Sequence, residues 1–154
     1  MKTTLRATAL AAVLACASGS ALAQEHWTEG PVWNCSFYYV PGENWDKYML
    51  YLRRNTVPLQ AAQKKAGLVL DYRTFVKDPR GTDDWNFAAC TQFKSYGQAY
   101  DYDAADEAKL KSIASAHWKT QDEEAQRKAA AERYSLRTFL GSYSMRQIDF
   151  RPMP

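Results

Sequence analysis

The sequence predicts an α+β sandwich: a four-stranded antiparallel sheet with helices on one face, in the order β-α-β-β-α-β. Three observations lead there. Stretches rich in β-branched and aromatic residues, bounded by turn residues, occur at 32–40, 68–76, 85–93 and 143–150. The segments that follow Asn44 and Asp103 switch to apolar residues three and four apart, the spacing of a helix. Cys35 and Cys90 fall near the middles of the first and third strands.

Residues 1–23 stand apart from that domain. Lys2 and Arg6 precede an apolar run from Ala7 to Ala17, and Ala21-Leu22-Ala23 is a small-residue cleavage site, the pattern of a secretory signal peptide. Lipidation at Cys16 is the competing reading, disfavoured by the short apolar run before it. A spanning helix needs about 20 apolar residues, so no membrane insertion is expected. Cleavage near Ala23 would leave a periplasmic or secreted protein. It removes two of the 20 basic residues and none of the 17 acidic ones, for a net charge near +1. No basic patch argues for nucleic acid. All the aromatic residues, 5 Trp, 10 Tyr and 6 Phe, lie after residue 23, enough for a large core, an aromatic cavity or an interface.

The elements follow in order. Residues 24–30 read as a short arm before a single domain at 31–151. Val32 to Val40 is the first strand, closed by Pro41-Gly42. Asn44 is placed as N-cap of a helix through Trp45, Tyr48, Met49 and Leu52. Pro58 should kink or break it, and Gly67 should cap its end. Leu68–Val76 and Trp85–Phe93 make a hairpin around Asp78-Pro79-Arg80-Gly81, which has type I turn chemistry. Asp103 and Asp106 open a second helix with a buried stripe of Leu110, Ile113, Ala114 and His117. A charged helix around 120–134 follows a capping box at Thr120–Glu123, with Glu123/Arg127 and Glu124/Lys128 four apart. Tyr143–Phe150 is the last strand.

That order is ferredoxin-like. Its first and third strands are central neighbours, which sets Cys35 opposite Cys90, and an even cysteine pair in an oxidising compartment is expected to form a disulfide. Asn34-Cys35-Ser36 also fits a glycosylation sequon, but it lies inside a strand.

Tyr38-Tyr39-Val40-Pro41-Gly42 before a helix, Pro58 within it, Ala66–Tyr72 at its exit and Trp85-Asn86-Phe87 after the hairpin together resemble the dimeric α/β-barrel superfamily. That superfamily includes NIPSNAP-like proteins and the cofactor-independent monooxygenases of antibiotic biosynthesis. The resemblance implies a homodimer whose two sheets face each other. It carries no catalytic residue onto this chain.

Alternation places the functional question on the sheet face away from the helices. A Cys35–Cys90 bond turns Trp33, Cys35, Phe37 and Tyr39 to that face together with Asn86 and Gln92, and one choice of register adds Asp71, Arg73 and Phe75. Trp33, Phe37, Tyr39, Arg73, Asn86 and Gln92 then line either a dimer interface or a cavity for a small amphipathic or aromatic ligand. Asp71 and His117 are the further functional candidates, His117 as a general base, a haem ligand or a core residue. No spacing suits zinc, so no metal is expected; Asp78, Asp83 and Asp84 lack EF-hand order, and no phosphate loop or nucleophile elbow calls for a cofactor.

The leading reading is a periplasmic or secreted homodimeric module that binds a small molecule or is purely structural. A monooxygenase- or isomerase-like enzyme is the alternative. An inhibitor-like protein-partner module using the 120–134 helix is the second.

Overall fold

A computed structural model describes residues 26–153. The signal segment 1–23 lies outside those residues. Four strands, β1 (Trp27–Tyr39), β2 (Asp71–Val76), β3 (Phe87–Phe93) and β4 (Thr138–Phe150), form one sheet in the order β2-β3-β1-β4. All three pairings are antiparallel, an α+β architecture consistent with the ferredoxin-like arrangement.

β1 is the central strand, and it starts earlier than its composition suggests. Trp27, Thr28 and Glu29 pair with Phe150, Asp149 and Ile148, so most of the expected N-terminal arm belongs to the sheet. Pro31 hides this in the sequence, because a residue without an N–H reads as a strand boundary. Here the ladder absorbs it in a register shift between Glu29 and Val32.

Cys35 stands directly across from Cys90 and is disulfide-bonded to it. The bond closes a separation of 55 residues, a constraint on the unfolded chain that stabilises the fold by about 4 kcal/mol in the chain-entropy account.

The first helical passage runs through α1 (Trp45–Tyr51), a π-helical segment at Leu52–Thr56 and α2 (Val57–Lys65). Helical structure runs on through Pro58, so the proline does not break it. Before the proline the helix widens, and Val57 N–H donates to Leu52 O five residues back. Pro58 then falls in the first turn of α2, where a missing N–H matters least. Asn44 precedes α1 but forms no side-chain cap bond. Gly67 ends α2 with φ +75°, a left-handed turn in which Gly67 N–H reaches Lys64 O and Leu68 N–H reaches Gln63 O.

The core lies between this helix and the covered face of β1 and β3. Tyr38, Val40, Tyr48, Tyr51, Phe87 and Leu136 form it, with Trp45, Met49 and Leu52 packed around them. The Tyr48 and Phe87 rings meet edge to face at 5.2 Å, and both are almost wholly buried. Removing a ring of this kind from a core costs about 3–5 kcal/mol.

The β2–β3 connection holds its i to i+3 hydrogen bond at Gly81–Asp84, not at Asp78–Gly81. Asp84 draws the turn there by accepting from Lys77 Nζ and from Arg80 N–H.

Beyond β3 the chain makes α3 (Tyr96–Tyr100), a short helix capped by Ser95, then α4 (Ala104–Trp118) and α5 (Glu123–Ser135). Asp103 caps α4 by accepting from Ala105 and Asp106 N–H. Asp122, not Thr120, caps α5 after a left-handed Lys119 redirects the chain. Glu124 pairs with Arg127 as well as Lys128, while Glu123 reaches across to Lys111 on α4.

The expected buried stripe on α4 is not buried. Leu110 is exposed, and Ile113, Ala114 and His117 are half-buried. The helix packs on α2 and α5 instead of lying down on the sheet.

Candidate functional site

Register defines the uncovered face of the sheet as three cross-strand rows in the order β4, β1, β3, β2. The first is Met145, Trp33, Gln92, Asp71; the second Tyr143, Cys35, Cys90, Arg73; the third Gly141, Phe37, Ala88, Phe75. Residues that face each other across an antiparallel ladder share a face, so the disulfide and the alternation of β1 bring Trp33, Phe37, Gln92, Asp71 and Arg73 together. Tyr39 continues the same parity at the end of β1, opposite Thr138.

At the centre of this face, over the disulfide, lies a groove of about 370 Å³. Trp33, Met145, Arg73 and Phe75 wall it, and both cysteines form its floor. Its sides are open to solvent: Phe75 is 51%, Tyr143 67% and Met145 47% exposed. Beside it the Phe37 ring lies edge to face with both Trp85, at 5.3 Å, and Tyr143, at 5.7 Å. Aromatic rings favour such edge contacts over a face-to-face sandwich, and these leave Tyr143 largely exposed.

Charge lies at the edges of the groove, with Arg146 of β4, paired to Glu29, on one side and Arg73 of β2 on the other. Asp71 accepts from Lys64 Nζ at 2.7 Å and pairs with an Arg73 guanidinium nitrogen at 2.8 Å. The Lys64 contact, first among several, holds the Asp71 carboxyl below its ordinary range. A carboxylate kept ionised in this way is a weak base, suited to orienting Arg73 more than to taking a proton. The guanidinium side chain is largely exposed and presents further donors to the groove.

Two expected site residues are elsewhere. The Asn86 side chain is buried and fully engaged with one residue: its oxygen accepts from Val40 N–H at 2.8 Å and its nitrogen donates to Val40 O at 2.7 Å. It ties β1 to the approach to β3 instead of lining the groove. His117 lies in the helical layer, its Nε2 3.2 Å from Asn55 Oδ1 and its ring edge to face with Trp118 at 4.6 Å. It cannot act together with Asp71 or Arg73, and its role in an enzyme reading of the open face is lost. Among the described residues no group of three His, Cys, Asp or Glu is placed to hold a metal ion.

A second recess was not foreseen. Where α4 stands off the sheet, a cavity of about 630 Å³ opens between the end of α2, β3, α3 and the start of α4. Leu68, Val69 and Phe93 lie beneath it, and Asp101, Asp106 and Glu107 lie on its rim. The signal in the sequence was the alternation Tyr100-Asp101-Tyr102-Asp103, which helix capping alone does not require.

No protein-family model matches the chain, and no curated protein matches it.

Proposed function

We propose that this chain is an exported homodimeric binding module, in which the open sheet faces of two copies pack together and enclose a small amphipathic or aromatic ligand. The observation that supports this reading most is the apolar open face, with Phe75, Tyr143 and Met145 exposed around the groove over Cys35–Cys90. A contiguous aromatic patch of this kind is costly to leave in water, and a second sheet is the surface that would cover it. Arg73 would anchor a carboxylate or other acceptor on the ligand, with Trp33 and Phe75 against its apolar body. The cross-strand disulfide supports export, since such bonds persist in oxidising compartments. No helix among the described residues is long and apolar enough to cross a membrane.

Sedimentation velocity of the purified protein tests the reading. A dimer at about 10 μM is expected, and Tyr143→Lys or Phe75→Glu should convert it to a monomer, because each buries an unpaired charge at the contact. A monomeric wild-type protein at that concentration would sink the reading.

A further inference from the structure

The cavity between α4 and the covered face of the sheet has its own chemistry. Of the residues that line it, four are acidic, Asp101, Asp103, Asp106 and Glu107, and none is basic. Lys109 neutralises Asp106 at 2.8 Å, and Lys111 approaches Glu107 only at 3.8 Å while holding Glu123 more closely at 3.1 Å. The Asp101 carboxylate has no partner among the described residues. Beneath this rim the surface changes character. Leu68 and Val69 are each 6% exposed, and Phe93 continues the apolar floor. Tyr102 stands beside the opening and is 81% exposed.

A recess of this volume suits a small molecule. An apolar floor under an acidic rim on which the Asp101 carboxylate is left without a partner selects one whose body is apolar and whose head is positive. An ammonium head near Asp101 and Glu107 would meet opposite charge and the negative face of the Tyr102 ring. A bare metal ion does not fit, since no group of three ligating side chains is placed to hold one among the described residues.

We propose that this cavity is a binding site for a small organic cation, an ammonium group carried on an aryl or alkyl body. It is separate from the open face, and neither reading depends on the other.

The test is a heteronuclear NMR titration of the purified protein with phenethylammonium, compared with its neutral analogue 2-phenylethanol and its anionic analogue phenylacetate. Saturable shifts at the Leu68, Val69 and Tyr102 amides are expected with the ammonium alone, weakening as salt is added. Asp101→Asn combined with Glu107→Gln should lower the affinity at least about fivefold. Tyr102→Ala, at an exposed position, should weaken binding as well and guards against a misfolded double variant. Equal binding of 2-phenylethanol, shifts confined to the open face, or no saturable shift with the ammonium would each overturn the proposal.

Discussion

The Arg137 guanidinium lies over the Tyr38 ring, its Cζ 3.6 Å from the ring centroid, and donates to the hydroxyl of Tyr48, a side chain with no solvent exposure. One residue between α5 and β4 thus closes the end of the core and satisfies a hydroxyl that would otherwise be buried unpaired.

Replacing Arg137 should therefore cost more than an ordinary surface substitution. Arg137→Ala removes the cation–π contact and leaves the Tyr48 hydroxyl without its partner, an expected loss of about 3 kcal/mol in urea unfolding. Arg137→Lys keeps the charge but not the guanidinium that reaches both Tyr38 and the Tyr48 hydroxyl, so it should recover only part of that loss.

Burial of the Tyr48 and Tyr51 phenols makes stability sensitive to alkali. Burial, the largest influence, holds the Tyr48 phenol above its ordinary 10.0, although Arg137 acts to lower it. Burial raises Tyr51 in the same sense. Both folded values lie above the unfolded one, so the folded chain keeps protons that the unfolded chain releases. Their contribution is full below pH 10.0 and is lost as pH rises through the folded values. Urea midpoints measured on either side of that pH should fall with rising pH, and Tyr51→Phe should flatten the decline. An unchanged slope would count against the assignment.

Asn86 offers a second test of buried polarity. Asn86→Ala strands both the N–H and the C=O of Val40 in the interior, and about 2–3 kcal/mol should be lost. Asn86→Asp keeps the acceptor but loses the donor to Val40 O, so it should not restore stability. Hydrogen exchange at the Val40 amide separates the two variants, with faster exchange in Asn86→Ala, which removes its acceptor, than in Asn86→Asp, which keeps it.

The element order and the central pairing were legible because they depend on local chemistry. Pro41-Gly42 ends β1, Gly67 ends α2, and the period of two through Trp33, Cys35 and Phe37 assigns their face once Cys90 is opposite. What stayed hidden depends on neighbours distant in sequence. Asn86 reads as one more polar residue at the start of a strand until Val40 is seen to take both ends of its amide. Leu110 and Ile113 have helical spacing, but spacing cannot tell whether a sheet lies beneath them, and α4 rests on other helices. Pro58 reads as a breaker because the sequence does not announce the wider turn before it.

β4 carries one feature of wider consequence. Phe139 pairs with Tyr38 on the covered face, its ring 5.6 Å from that of Tyr38, whereas Tyr143 pairs with Cys35 on the open face. Both positions are odd-numbered, and in an unbroken strand they would point the same way. The register shift at Leu140, beside a Gly141 with φ +146°, inverts the parity between them. A single surplus residue is therefore a phase inverter, letting one strand seal the interior with its first half and present aromatics outward with its second. If the full-length strand paired without the bulge, Phe139 and Tyr143 would be forced onto one face; deleting Leu140 would instead leave a regular ladder with Phe139 still opposite Tyr38 and Tyr143 still opposite Cys35.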